Sequence, residues 1–172
     1  MVGRMARRLT ITAPDDWHLH LRDGDALATL VPATARQMQR AIVMPNLTPP
    51  LTTTEAALQY RQRILDARPP GSTFQPLMTL YLTDSTPPEE VRRAKESGFV
   101  HAFKLYPAGA TTNSDSGVTD IAKVRTVLAA MQAEGVTLCL HGEVTTPGVD
   151  IFDRERVFVE KTLPGVISEY PE

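Results

Sequence analysis

The 172-residue sequence has one cysteine, few aromatic residues and no excess of either charge. The lone Cys139 excludes an internal disulfide framework and fits a reducing cytoplasm. Eighteen basic and twenty acidic side chains leave a formal charge of −2, which excludes the basic footprint of a nucleic-acid-binding protein. Arg4, Arg7 and Arg8 precede only the short segment 9–13, too brief for a secretory signal or a membrane span. We therefore expect a cytoplasmic protein that binds neither nucleic acid nor membrane.

The sequence is also short for one class of fold. A complete eightfold βα barrel takes about 250 residues, so 172 residues hold only part of one. Apolar, β-branched runs alternate with helical patterns, the runs at 9–13, 16–21, 41–44, 74–82, 99–106 and 136–140 and the helices at 25–39, 54–67, 87–97, 120–134 and 150–161. This alternation predicts an α/β fold with a parallel sheet and right-handed crossovers. We expect residues 1–172 to form a single domain.

Two histidines stand at the end of the predicted strand 16–21. His18 and His20 are separated by one residue, and positions i and i+2 of a strand point to the same side. Two neutral imidazoles that converge on one point suit a divalent metal such as zinc. The alternative is a pair of half-buried histidines with hydrogen bonds elsewhere.

Lys104 lies inside the apolar run FKLY, near the end of another predicted strand. A buried ammonium is costly, so such a lysine must be paired, neutral or modified. A neutral lysine amine is a nucleophile, and its reaction with carbon dioxide gives a carbamate whose two oxygens can bridge two metals. The alternative is a lysine whose stem is buried and whose ammonium reaches solvent.

His141 follows the run LCL, so a third predicted strand end also carries a polar residue. The carboxyl ends of barrel strands surround one pocket, so His18, His20, Lys104 and His141 are expected to meet there. His101 is out of phase with Lys104 and is predicted to face the other way. Cys139 shares the face of His141, but a lone cysteine on a buried strand is most often an inert small hydrophobe.

Several longer segments resemble one enzyme family. DDWHLHLRDGD (15–25), RAIVMPNLTPPLTT (40–53), FKLYPAGATTNSDSGVT (103–119) and LHGEVT (140–145) resemble the shorter bacterial type of dihydroorotase, in the amidohydrolase superfamily. The HxH pair alone is a feature of the superfamily, whereas the combination of segments is much narrower. The resemblance extends from about residue 11 to residue 161.

The resemblance implies a fold and a metal centre. The fold is a distorted (β/α)8 TIM barrel of the metal-dependent hydrolase type, with two zinc ions at the carboxyl ends of the strands. His18 and His20 match the ligands of one zinc. Lys104 matches a catalytic, carboxylated lysine that bridges both metals, and His141 matches a ligand of the second.

The resemblance also implies a substrate and a reaction. Arg22 and Asn46 match the residues that hold the substrate's carboxylate. The reaction is the reversible cyclisation of N-carbamoyl-L-aspartate to dihydroorotate with loss of water, in pyrimidine biosynthesis. A cytoplasmic homodimer is the expected assembly.

The sequence departs from the family pattern after His141. The family has a further metal-binding histidine and an aspartate that ligates metal and moves the proton, but no histidine follows His141 here. Asp150 and Asp153 lie in a predicted helix and do not fit the role of that aspartate. The chain therefore resembles the N-terminal part of the family, about five of eight βα units.

Two alternatives remain open. A hydrolase of another cyclic amide, such as a hydantoin, is disfavoured by Arg22 and Asn46, because such substrates lack the carboxylate. A non-catalytic half-barrel that serves as a scaffold or partner subunit is favoured by the missing histidine and aspartate. The retained histidines and Lys104 oppose it, because an inert scaffold has no physical need for them.

Overall fold

Five parallel strands form one sheet in the order in which they occur along the chain. The computed structural model describes residues 8–171; Arg4 and Arg7 of the basic start lie outside this range. The strands are β1 (Asp15–Leu19), β2 (Arg40–Val43), β3 (Gln75–Leu82), β4 (Val100–Leu105) and β5 (Thr137–Leu140). The parallel sheet is the one that the alternation of strands and helices predicted, and it is curled into the half-barrel that the family resemblance implied.

Four helices connect the strands and pack on one face of the sheet, and two more follow β5. They are α1 (Leu27–Ala35), α2 (Thr54–Asp66), α3 (Glu89–Ser97), α4 (Arg125–Glu134), α5 (Arg154–Val157) and α6 (Leu163–Glu169). Short 3-10 turns precede α1, α4 and α5, and a π-helical segment, Phe158–Thr162, joins α5 to α6. The Thr53 hydroxyl caps α2 by accepting a hydrogen bond from the Ala56 amide, as expected for a threonine at this position.

The two faces of the sheet differ in chemistry. Leu80, Leu82, Phe103 and Leu105 are buried in the apolar core that includes the helices. On the other face, Lys104 lies opposite Tyr81 on β3 and opposite Cys139 on β5 in the strand register. Side chains alternate along a strand. The residues that flank Lys104 therefore pack into the core, and Lys104 lies on the inner face of the half-barrel.

Two local predictions were wrong. Residues 9–13 form no strand, since Leu9 and Ile11 are 85% and 68% exposed and this segment packs no buried face. The last predicted helix extends beyond residue 161 and changes type along its length. Pro164 lacks the amide that would bond the carbonyl four residues earlier, which accounts for the break in the regular helical pattern here.

Candidate metal centre

His18 and His20 come together at the end of β1. The register between β1 and β2 shifts between Asp16 and Leu19, a bulge of the kind that redirects side chains near functional sites. The His18 amide donates to Asp16 Oδ1 at 2.9 Å. His20 lies just beyond the strand, yet the Nε2 atoms of the two imidazoles are 3.2 Å apart. The structure therefore places both ring nitrogens at one point.

The surroundings of this pair favour uncharged imidazoles. The pKa of His18 is lowered by burial and then by the charge of Lys104, although the residue is in part exposed. The pKa of His20 is lowered by burial and then by His18. Nδ1 of His20 is buried and has no hydrogen-bond partner within residues 8–171. Neutral imidazole is the form that ligates metal.

Lys104 lies on the inner face of β4 and is only 2% exposed. Its Nζ donates to the Leu140 carbonyl at 3.1 Å and lies 5.2 Å from the centre of the Tyr106 ring. No carboxylate in the described part of the chain forms an ion pair with it. Burial lowers the pKa of the amine, which favours the neutral, nucleophilic form.

His141 follows β5 directly. Its amide donates to the Leu105 carbonyl at 2.9 Å, which continues the ladder by one residue. Its Nε2 lies 3.1 Å from Glu143 Oε2, and its ring centre is 5.9 Å from that of Tyr106. Between residues 8 and 171, no three histidine, cysteine, aspartate or glutamate side chains come close enough to hold a metal. Within these residues the histidine pair lies close enough to Lys104 and His141 for their charges to lower the pKa of His18.

His101 and Cys139, for which the sequence indicated no function, lie on the predicted faces of the sheet. His101 is exposed on the outer side of β4. Cys139 is half-buried beside Lys104, and burial raises the pKa of its thiol. A raised pKa keeps the thiol protonated and unreactive.

Arg22 and Asn46 lie at the rim of the same site. Arg22 is exposed, adopts a positive φ of 57°, and accepts a hydrogen bond from the Tyr60 hydroxyl at its carbonyl. Its charge contributes to the lowered pKa of His20, so the guanidinium lies near the histidine pair. Asn46 is 3% exposed, and its Nδ2 donates to the Thr112 carbonyl at 3.1 Å.

The loop between β4 and α4, residues 107–119, is internally cross-linked. Ser114 is fully buried, and its carbonyl accepts from the amides of Gly109 at 3.1 Å and Gly117 at 2.9 Å. The Val118 amide donates to the Tyr106 carbonyl at 2.8 Å, which closes the base of the loop beside the site. The loop is a compact structure with a fixed attachment to β4.

Gly117 is the residue of this loop that tolerates a side chain least. A Cβ there would lie 2.9 Å from the Ser114 carbonyl and closer still to that of Tyr106, so the backbone would have to move. We expect Gly117→Ala to lower the free energy of unfolding by about 1–3 kcal/mol. Gly165→Ala is the matched control, because its Cβ meets nothing and α6 gains helix propensity. Urea unfolding followed by circular dichroism measures both; equal midpoints would contradict the packing argument.

The sequence analysis missed three residues of the site. Tyr106 is two positions from Lys104 and shares its face, a signal present in the sequence. Tyr81 stacks on Tyr106 with ring centres 5.1 Å apart. Asn113 donates from Nδ2 to the Asn46 carbonyl at 3.0 Å. This last contact joins two loops that are distant in sequence, so no local sequence pattern predicts it.

With this geometry in place, comparison with known proteins shows which proteins this chain is similar to. The dihydroorotase of Cupriavidus metallidurans is 62% identical to this chain over 168 residues, which are 98% of this chain and 49% of that relative. This chain is therefore similar in sequence to dihydroorotases. It spans about half the length of the curated relatives it matches. No protein-family model matches it.

Solved dihydroorotase structures share the fold of this chain. The Campylobacter jejuni dihydroorotase superposes with a TM-score of 0.83 at 35% identity and matches 95% of this chain and 48% of its own. The Saccharomyces cerevisiae dihydroorotase, solved with 5-fluoroorotic acid, has a TM-score of 0.81 at 30% identity, over 92% of this chain and 45% of its own. The observed strands are therefore those of a partial TIM barrel of the dihydroorotase type.

A more distant enzyme shares only the fold. The L-hydantoinase of Arthrobacter aurescens has a TM-score of 0.62 at 19% identity, over 76% of this chain and 29% of its own. The dihydroorotase relationship is thus supported by sequence and by structure, and the hydantoinase relationship by architecture alone.

Proposed function

We propose that this chain supplies the N-terminal part of a dihydroorotase, which cyclises N-carbamoyl-L-aspartate reversibly to dihydroorotate with loss of water. The observation that carries the proposal is the 62% identity to a dihydroorotase over 98% of the chain. The histidine pair beside a buried lysine adds a site of suitable chemistry at the ends of the strands, where barrel enzymes carry their active sites.

The residues present fit part of a zinc centre. Two imidazole nitrogens face each other at 3.2 Å, and zinc accepts such nitrogen ligands. His18 and His20 would hold one zinc, a carboxylated Lys104 would bridge two, and His141 would hold the second. When bound, zinc polarises a carbonyl oxygen and lowers the pKa of water.

The role of Lys104 follows from its burial. The neutral amine attacks the carbon of carbon dioxide, forms an N–C bond and releases one proton, which leaves a carbamate in place of the amine. The carbamate is also a charge, and its burial costs free energy unless cations neutralise it, which bound zinc would do. Burial by Tyr106 and the β5 backbone also excludes water from the stem of the side chain.

Arg22 and Asn46 are proposed to hold the carboxylate of the substrate. The yeast relative was solved with 5-fluoroorotic acid, a pyrimidine with a carboxylate. A guanidinium matches a carboxylate with two parallel hydrogen bonds, and the exposed Arg22 is available for such a pair. Asn46 carries an amide with two donor hydrogens, of which Thr112 occupies one.

We propose that residues 1–172 are a single domain, the N-terminal part of a barrel that other polypeptide completes. Among residues 8–171, β1 and β5 are edge strands, and exposed edges invite association unless they are covered. An apolar cavity of about 410 Å³ lies beside β5, lined mainly by residues of β5, α4 and α6. The further histidine ligand and the aspartate base would come from that polypeptide.

The protein is further proposed to be a cytoplasmic homodimer. Within residues 8–171 no helix is long and apolar enough to cross a bilayer, and Cys139 is a free thiol, which fits a reducing compartment. The family resemblance alone supports the dimer. Light scattering of the purified protein tests it, with twice the protomer mass as the expected result.

Substrate comparison tests the proposed function. The protein is purified from its source cells and assayed with dihydroorotate and with hydantoin at equal concentrations. We expect turnover of dihydroorotate to exceed that of hydantoin by at least about tenfold, because only the former offers a carboxylate to Arg22. Preference for hydantoin would overturn the substrate. The absence of both activities and of bound zinc would favour the scaffold, which the incomplete ligand set supports.

A further inference from the structure

The tip of the 107–119 loop contacts Asn46 in two directions. Asn46 Nδ2 donates to the Thr112 carbonyl at 3.1 Å, and Asn113 Nδ2 donates back to the Asn46 carbonyl at 3.0 Å. The Tyr81 hydroxyl donates to the Asn113 carbonyl at 3.2 Å. Because Tyr81 stacks on Tyr106, this contact links the loop tip to the aromatic pair beside Lys104.

These contacts fix which way the Asn46 amide faces. A flipped amide would bring Oδ1 against the Thr112 carbonyl, and two acceptors repel each other. With the flip excluded, Thr112 accepts one Nδ2 hydrogen, and the amide also lies within hydrogen-bonding reach of the His20 side chain. The second Nδ2 hydrogen is the one that a substrate could accept. A substrate carboxylate accepts hydrogen bonds, so only this orientation serves it.

Asn113 adopts a backbone conformation suited to this task. Its φ is +56°, and apart from Arg22 it is the only non-glycine residue between 8 and 171 with a positive φ. Asparagine tolerates this left-handed region better than most residues. The conformation turns the loop tip toward Asn46, 67 residues earlier in the chain.

We propose that Asn113 is a positioning residue, which acts through Asn46 and fixes it for the substrate carboxylate. The proposal rests on the proposed function for its substrate. It predicts that loss of the Asn113 donor weakens substrate binding and leaves the chemical step intact. Among residues 8–171 its hydrogen bonds go to Asn46 and Tyr81 and not to the histidine pair or Lys104.

Variants of the complete enzyme test the proposal by kinetics on dihydroorotate. Asn113→Asp keeps the shape and loses the donor, whereas Asn113→Gly keeps the backbone conformation and loses the amide. We expect each to raise KM about five- to tenfold and to leave kcat within about twofold. Ser116→Ala, an exposed position on the same loop, is the control and should match wild type.

A double variant separates positioning from a general effect on the loop. If Asn113 acts through Asn46, then Asn46→Ala combined with Asn113→Asp has the KM of Asn46→Ala alone. The proposal would be overturned if the increases in KM of Asn46→Ala and Asn113→Asp multiply in the double variant. A wild-type KM in both Asn113 variants would also overturn it. A wild-type KM for Asn46→Ala would instead show that the substrate assignment of Asn46 is wrong and would end this proposal with it.

Hydrogen exchange gives a readout that needs no activity. We expect the amides of residues 44–54 to exchange at least threefold faster in both Asn113 variants than in wild type and in Ser116→Ala. If the wild-type enzyme does not hydrolyse dihydroorotate, the proposed function fails, and exchange still decides whether Asn113 holds Asn46. Equal exchange in all four proteins would overturn the positioning role.

Discussion

Lys104→Ala is expected to abolish dihydroorotate hydrolysis and to remove bound zinc from the complete enzyme. The substitution deletes the amine that would form the bridging carbamate, and a catalytic metal contributes several kcal/mol to transition-state stabilisation. Since each 1.4 kcal/mol or so is a factor of ten, we expect activity to fall about 10³-fold or more. Turnover assays and elemental analysis of the same preparation measure both effects.

Two further variants make this result specific. His101→Ala changes a histidine on the outer side of the same strand, and activity and zinc content should match wild type. Lys104→Met keeps the buried stem without the amine, so we expect it to be as inactive as Lys104→Ala and better packed. Wild-type turnover in either Lys104 variant would rule out the role of the carbamate.

Arg22→Lys is expected to weaken substrate binding and to change the chemical step little. Lysine keeps the charge but lacks the planar pair of donors that matches a carboxylate. A hydrogen bond to a charged group contributes about 1.5–3 kcal/mol, so we expect KM to rise about 10- to 100-fold. The backbone contact of Arg22 with Tyr60 is unaffected, because it uses the carbonyl.

Arg36→Lys is the matched control for this prediction. Arg36 is an exposed arginine at the end of α1, away from the carboxyl ends of the strands. The Arg36→Lys variant should therefore have a wild-type KM. If Arg22→Lys also leaves KM unchanged, the guanidinium does not hold the carboxylate. A fall in kcat at constant KM would assign Arg22 to the chemical step instead.

The architecture was predictable from the sequence because apolar residues recur with a different spacing in the strands and in the helices. Five of the six predicted runs became strands. The three inner strands are buried in the core, and the edge strands β1 and β5 pack partly buried leucines against it. Residues 9–13 have the composition of a strand but pair with no strand of the described sheet. Their side chains are exposed, and burial rather than propensity decides strand formation.

The candidate site was predictable only in part. His18 and His20 were expected to converge through simple alternation, whereas the structure reaches the same result with a bulge in β1 and with His20 beyond the strand. The burial of Lys104 followed from its apolar neighbours. The contact between Asn113 and Asn46 depends on how two loops fold against each other, and such tertiary contacts leave no periodic signal in the sequence.

Anomalous diffraction from crystals of the zinc-loaded complete enzyme tests the central claim most directly. The account predicts zinc peaks at the carboxyl ends of β1 and β4, one of them bonded to Nε2 of His18 and of His20. It also predicts density for a carbamate on Lys104 that reaches both metals, with His141 at the second. An unmodified Lys104 and no zinc beside the histidine pair, in an active enzyme, would contradict it.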